Sequence, residues 1–408
     1  MNIIKESAPH LRRKETVSRM MADVLVALLP TLIFAIIVYP FRTLIFLLIS
    51  LAVMIGSEFI CVGLRNIMPK DSKRHRLGER ISYASKRRFY LNNALSIGLR
   101  NIMPKDSKRH RLRERISYAF KGRFHLTNAL SSAVSAVIFT LIMPAGAPIY
   151  AVIIGAFVGI VFGKLVFGGT GSNIFNPALV GMLFAKLCFS SQYVGYVDTW
   201  FYTIPDAAAG ATPLGLLNGG EFSNITQYNL VDLLIGKVPG TLGEVYKITI
   251  LIGLIYLLVR RSIDYRIVVS YLGTVAILSL FGGLAIFGLN NNVNPFRFTL
   301  YNLLTGGVLF GATFMLTDPV TSPINSPSRI IYGMIAGVIT IFIRFFAALP
   351  EGVGFSILIA NMLSCVLDHY EWSNPRFTWK NILTMSLIGV ISISIVYFVI
   401  RFGGVYNV

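Results

Sequence analysis

The sequence predicts an all-α integral membrane protein, and three observations support this fold class. Hydrophobic residues occupy 54% of the 408 positions and charged residues only 13%, about half the charged share of a typical soluble domain. Apolar runs long enough to cross a hydrocarbon core of about 30 Å recur along the chain. Because backbone groups in lipid must be hydrogen-bonded within the segment, such runs form helices.

Eleven apolar runs qualify as candidate spans. They are residues 22–40, 43–63, 127–144, 149–167, 176–191, 245–259, 267–288, 299–316, 330–347, 353–368 and 380–401. The first 21 residues are polar and basic, and the first apolar run is too long for the core of a cleaved signal peptide.

Lysine and arginine in the short connections predict the orientation, because they concentrate on the cytoplasmic side. The tail and the connections after spans two, six and ten are basic, whereas residues 192–244 hold Lys237 as their one basic residue. We therefore predict a multi-pass plasma-membrane protein with a cytoplasmic N-terminus. Its regions are a tail (1–21), helices (22–62), a basic cytoplasmic loop (63–126), helices (127–191), an outer segment (192–244), helices (245–368), a cytoplasmic loop (369–379) and an extra helix with the C-terminus (380–408).

The basic cytoplasmic loop contains a tandem duplication. Residues 63–96 recur at 98–131 with a period of 35 and five differences, and the loop carries +14 of the net charge of +19. Two copies are too few for a solenoid. A solvated loop near anionic lipid headgroups is the favoured interpretation, and nucleic acid is not an expected partner. A partner-docking role would also explain the duplication.

The cysteines predict no metal centre. Cys61, Cys188 and Cys365 lie far apart, without a CxxC or Cys/His cluster, so iron–sulfur and zinc sites are not expected. We expect free, buried, inert thiols.

The outer segment contains a candidate attachment motif. It begins at Asp206 and reads DAAAGAT as far as Thr212. Gly210 and Ala211 leave the threonine hydroxyl open to a modifying enzyme, since no bulky side chain shields the backbone there. The acid six positions earlier could present the segment to that enzyme.

These residues resemble the D subunit of the Rnf ion-translocating oxidoreductase and its relative, the B subunit of the sodium-pumping NADH:quinone reductase. In those proteins FMN is attached through a phosphoester to the threonine of D-x-x-[ST]-G-A-T; here Ala209 stands at the Ser/Thr position. Four further segments resemble the family's motifs: FGGTGSNIFNPA (167–178), PGTLGE (239–244), TDPVT (317–321) and PEGVGF (350–355). The short tail and the Pro-Leu after Thr212 favour the Rnf subunit.

The resemblance implies a function and partners. It implies a fold with a five-plus-five inverted repeat. It also implies covalent FMN on Thr212, and it allows a second, non-covalent flavin. The implied activity is electron transfer coupled to Na⁺ or H⁺ movement. The chain would act as an electron-transfer subunit of a translocase complex and not as an enzyme alone. Partners would be the A, B, C, E and G subunits of the complex, a flavin-attaching transferase and membrane lipids.

A second Gly-Ala-Thr sequence tests the motif. Thr313 has Gly307 six positions upstream in place of an acid, and it lies within the eighth candidate span. We expect Thr313 to be unmodified and to serve packing.

Two interrupted segments, GGTGSNIFNPA and GATFMLTDPVTSP, sit at comparable places in the two halves. Such breaks indicate a binding site near the membrane midplane, although Gly and Pro could instead cap and kink ordinary helices.

Ionisable groups within spans indicate function or helix-end snorkelling. We select Asn173, Asn176, Asp318 and Arg344 for an inner flavin, quinone or ion site; Glu58, Lys164 and Lys186 are the other charged residues in or near spans.

The rival interpretation is a channel or transporter for a small solute without redox activity. The inverted-repeat pattern alone would permit it. The discriminating feature is the Asp206–Thr212 motif, which a channel does not need.

Overall fold

The protein is predominantly helical where this computed structural model describes it, namely in residues 17–67, 126–190, 214, 229–287, 294–347, 352–369 and 377–402. These ranges also contain an isolated β-bridge between Pro144 and Thr241. One compact unit comprises residues 1–58 and 126–408, and a second comprises 59–125. Most of the tandem duplication lies outside the described residues.

The helices follow the candidate spans closely. In chain order they are α1 (Val17–Val38), α2 (Pro40–Ile67), α3 (Leu126–Ile142), α4 (Ile149–Ile160), α5 (Pro177–Cys188), α6 (Leu230–Ile235), α7 (Lys247–Val259), α8 (Tyr265–Phe287), α9 (Pro295–Leu304), α10 (Val308–Phe310), α11 (Ser326–Phe346), α12 (Val353–His369) and α13 (Trp379–Phe402). Two π-helical turns, Val161–Leu165 and Gly311–Met315, continue α4 and α10. Each of the eleven candidate spans coincides with helix.

Helix length divides the spans into two kinds. Among the described residues, α1, α2, α8, α11 and α13 are long and apolar enough to cross a membrane alone. The α9 and α10 pair would form a sixth span, bent by 59° at its break. Five further apolar helices in the described residues have between 10 and 17 residues, fewer than the roughly 20 that a bilayer requires. The chain is therefore a multi-pass membrane protein that includes short and broken segments.

Hydrogen bonds join helix ends that were predicted to be cytoplasmic. These ends lie at the same end of the helix bundle, here called the Asp23 end. Asp23 at the start of α1 accepts from Arg260 at 3.1 Å and from Ser262 at 2.6 Å. Asp368 at the end of α12 accepts from the Ile324 amide, which precedes α11. The contacts agree with the predicted alternation of the spans.

Glycine allows the closest helix crossings. On α4, a side chain at Gly159 would approach the carbonyl oxygen of Pro177 to 2.5 Å. At Gly333 on α11, it would approach the carbonyl oxygen of Ile267 on α8 to 2.8 Å. Small residues let membrane helices pack backbone to backbone, and this packing fixes α4 against α5 and α8 against α11.

We predict that Gly159→Ala destabilises the fold by about 1–3 kcal/mol, because the added methyl group meets backbone that cannot yield. The measurement is thermal unfolding of the purified protein in detergent. Gly273→Ala is the matched control, since a side chain there meets nothing within 4 Å. Equal unfolding temperatures for the two variants would contradict the packing argument.

Candidate functional site

The first break lies between the π-helical turn after α4 and the start of α5. Gly168, Gly169 and Gly171 adopt positive φ angles of 118°, 97° and 92°, which glycine adopts without steric cost. At the far side of the break, the Asn176 side chain accepts from the Ala178 amide at 3.0 Å and caps α5. This motif therefore ends one helix segment and starts the next.

The second break separates α9 from α10. The chain leaves helical geometry at Thr305, and Gly306 has a φ of +61°. The π-helical turn that follows α10 holds Thr313, which is buried and donates to the Leu309 carbonyl at 2.8 Å. Burial of this hydroxyl agrees with the expected packing role.

The two interrupted segments meet around one cavity near the Asp23 end, here called the Asp318 cavity. The residues that line it are Met21, Val24, Ser131, Val134, Ser135, Ile138, Asn173, Asn176, Pro177, Ile263, Thr313, Phe314, Thr317, Asp318, Pro319 and Val320. The cavity volume is about 30 Å³, which is room for about two water molecules. A cavity of this size can hold a small cation with its water.

A buried ion pair lies behind this cavity. Lys164 donates to Glu58 at 2.9 Å, and both side chains are 1% exposed. Ser132 also hydrogen-bonds to Glu58, and Lys164 donates to Ser132 at 3.0 Å. Thr170 in the first break completes the set by donating to Glu58. The burial excludes snorkelling as the role of Lys164.

Lys164 also connects the two halves of the chain. It interacts electrostatically with Asp318 of the second interrupted segment. Glu58, Lys164 and Asp318 together carry a net charge of −1 when all three are ionised. An excess negative charge inside a membrane protein favours uptake of a proton or a monovalent cation.

Two buried cations cap the second break. Arg344, 2% exposed, donates to the carbonyls of Asn302 at 2.7 Å and Thr305 at 3.0 Å. Lys247, also 2% exposed, donates to the Gly306 carbonyl at 2.6 Å. These carbonyls belong to the C-terminal end of α9, which carries partial negative charge. The two side chains donate hydrogen bonds to backbone carbonyls that have no helical partner at the break.

A second cavity lies at this break, here called the Lys247 cavity. Its lining residues are Leu214, Leu233, Val238, Pro239, Gly240, Thr241, Glu244, Val245, Lys247, Leu304, Thr305 and Gly306. The segment Pro239–Glu244 thus forms one wall. Leu214, which is 2% exposed, forms another.

The structure brings some of the selected site residues together and separates others. Asn173, Asn176 and Asp318 share one cavity, whereas Arg344 caps the other break. The motif residues, Asp206, Gly210, Ala211 and Thr212, lie outside the described residues.

Sequence reasoning missed Lys247 and did not pair Glu58 with Lys164. A lysine in the first turn of an apolar helix resembles a snorkelling residue, and its carbonyl partners leave no trace in the sequence. The charge balance of Glu58 and Lys164 was the one available signal for their pairing.

The cysteines differ from expectation in one respect. All three are free, but Cys188 and Cys365 are exposed, so the expected burial was wrong for them. They lie at the end of α5 and on α12, which are both apolar helices. No group of three metal-ligating side chains occurs in the described part of the chain.

We predict that Lys164→Met destabilises the protein by about 3–5 kcal/mol, because it leaves the Glu58 carboxylate buried without its cation. The double variant Glu58→Gln/Lys164→Met removes both charges and should recover most of the loss. Unfolding in detergent measures both. A double variant less stable than Lys164→Met would contradict the role of the pair.

Comparison with known proteins identifies relatives over much of the chain. The B subunit of the Na⁺-translocating NADH-quinone reductase from Ectopseudomonas mendocina is 37% identical over 246 residues. The same subunit from Chromohalobacter salexigens is 35% identical over 242 residues. The alignments cover 58% of this chain and 57–58% of each relative, so the chain spans less than two thirds of the curated relatives' length.

The model of the NQR2, RnfD, RnfE family matches residues 4–75 and 114–376. The unmatched stretch 76–113 is close to one 35-residue repeat in length, so the duplication adds one repeat to the family's connection. Helix α13 lies beyond the match. Since the two matched stretches cover well over half of the sequence, the chain belongs to the NQR2, RnfD, RnfE family.

Proposed function

We propose that this chain is the D subunit of an Rnf-type ion-translocating oxidoreductase, with FMN in phosphoester linkage on Thr212. Membership of the NQR2, RnfD, RnfE family carries the proposal. The Asp206–Thr212 motif supports the flavin and its position, and the Pro-Leu that follows Thr212 supports the Rnf type. The A, B, C, E and G subunits of such a complex and a flavin-attaching transferase are the proposed partners.

The residues around the Lys247 cavity suit a flavin held on Thr212. FMN supplies one- and two-electron transfer, and the protein supplies position and electrostatics. Leu214 lies two positions after Thr212 and is fixed in the cavity wall. The buried charges of Lys247 and Arg344 place positive potential at the end of the bundle where Leu214 lies.

The Asp318 cavity is the proposed ion site. Its small volume and the half-buried Asp318 carboxylate suit Na⁺ or H⁺, whose movement would be coupled to electron transfer. Lys164 and Glu58 set the local charge.

We predict that Thr212→Ala abolishes the flavin fluorescence of the denatured protein band, because the phosphoester acceptor is gone. The protein is expressed with its transferase, purified and separated on a denaturing gel. Thr313→Ala, the control in the second Gly-Ala-Thr, should stay fluorescent. A colourless wild-type band would refute covalent flavinylation.

We predict that Asp318→Asn reduces coupled Na⁺ or H⁺ uptake by the reconstituted complex about tenfold or more, since losing one carboxylate–cation interaction of about 1.4 kcal/mol suffices for that factor. The fluorescence of the band should be unchanged. Asp232→Asn, at a half-buried acid beyond the cavity lining, is the control. Equal uptake by Asp318→Asn and wild type would eliminate Asp318 as the ion ligand.

A further inference from the structure

The turn that joins α7 to α8, here called the 260–264 turn, forms part of the wall of the Asp318 cavity. Ile263 in this turn is one of the residues that line the cavity. The residues on either side of it, Ser262 and Asp264, each hydrogen-bond to a different helix. The turn is therefore a short strap that lies against the cavity and is fastened on both sides of Ile263.

One tie holds the turn to the start of α1. The Asp23 carboxylate accepts from the Ser262 hydroxyl at 2.6 Å and from the Arg260 guanidinium at 3.1 Å. Asp23 is 7% exposed, and its neighbours Met21 and Val24 also line the cavity. Because hydrogen bonds to an ionised group are stronger than those between neutral groups, this tie fixes the turn against the part of the wall that α1 supplies.

A second tie holds the turn to the start of α11. Asp264 forms an ion pair with Arg329, and Arg329 also donates to the Pro323 carbonyl at 2.8 Å. Pro323 belongs to the segment that leads from Asp318 to α11. The same guanidinium thus connects the turn to the segment that carries the carboxylate of the cavity.

The backbone of the turn adopts a conformation that side chains disfavour. Arg261 has a φ of +55°, and it is the one non-glycine residue with a positive φ in the described part of the chain. It follows the end of α7, at a position where glycine is usual. A residue with a Cβ atom keeps such a conformation because the contacts around it hold it there. Releasing a tie therefore frees the turn to move.

We propose that the 260–264 turn is the inner gate of the Asp318 cavity, closed by its ties to Asp23 and Arg329. When a tie is released, Ile263 leaves the cavity wall, and the cavity opens to solvent at the Asp23 end. The inference rests on the proposed function and deepens it, because it assigns control of ion access to the proposed ion site.

Access of a thiol reagent to the cavity tests this inference. The full chain is purified in detergent with its three cysteines replaced by serine, and Ser135→Cys then places a single thiol in the cavity lining. A small charged methanethiosulfonate is the probe, and mass spectrometry of the intact protein follows its reaction. We expect this parent protein to react at least about tenfold more slowly when native than when denatured, a factor that an opening free energy of about 1.4 kcal/mol provides.

Two variants release one tie each. Asp23→Asn weakens the tie to α1, and Asp264→Asn weakens the tie to α11, so each should accelerate labelling of the native protein by up to about tenfold. The control is Asp368→Asn, which changes a carboxylate at the same end whose hydrogen-bond partner is the Ile324 amide and not a residue of the turn. It should react at the rate of the parent protein.

A second reporter separates opening of the gate from general loosening of the fold. Ser279→Cys, in place of Ser135→Cys, puts the thiol at a fully buried position on α8 that lies outside the cavity lining. Its labelling should be as slow in Asp23→Asn as in the parent protein. Equal acceleration of both reporters would overturn the inference. So would an unchanged rate at Ser135→Cys in both tie variants, or equal acceleration by Asp368→Asn.

The labelling result is independent of the redox function, because it requires neither flavin nor partner subunits. If Asp318→Asn leaves ion uptake by the complex unchanged, the proposed ion site fails, and the gate loses the ion access that it is proposed to control. If uptake falls in Asp318→Asn but the tie variants do not accelerate labelling, the ion site stands and only the gate is overturned.

Discussion

The constraint on which the rest of the structure depends is the need to satisfy backbone groups where a helix breaks inside a membrane. Lipid offers no hydrogen bonds, so freed carbonyls and amides must find partners within the protein. At the second break, Arg344 and Lys247 supply donors to the end of α9. At the first break, the Asn176 side chain supplies an acceptor to the start of α5. Each break is thereby held open beside a cavity.

The same constraint explains why the buried charges occur as sets. A lone ion in this environment would be costly, and Glu58 and Lys164 compensate each other at 2.9 Å. Asp318 then adds one unmatched negative charge beside a water-sized cavity. The Lys247 cavity is lined by one cation and one carboxylate, Lys247 and Glu244, and Arg344 lies behind it at Gly306.

The sequence was sufficient to predict the helices, because the length of an apolar run is a local signal. The Asn-Pro and Asp-Pro pairs are also local signals, and they marked the interrupted segments that meet at one cavity. It was insufficient for the capping of the breaks. Arg344 was assigned to the site of Asp318, but its partners are carbonyls of Asn302 and Thr305, and a carbonyl has the same chemistry at every position. The Glu58–Lys164 pair spans 106 positions, so the sequence offered only their opposite charges and did not indicate which residues pair.

The central claim is that one threonine of the segment 192–244 carries the flavin that this membrane scaffold positions. Site-localised mass spectrometry of protein purified with its complex tests that claim most directly. We expect one FMN-derived mass addition on the peptide that contains Thr212, with fragment ions placing it on that residue. An unmodified peptide, or the same addition on the peptide that contains Thr313, would contradict the account.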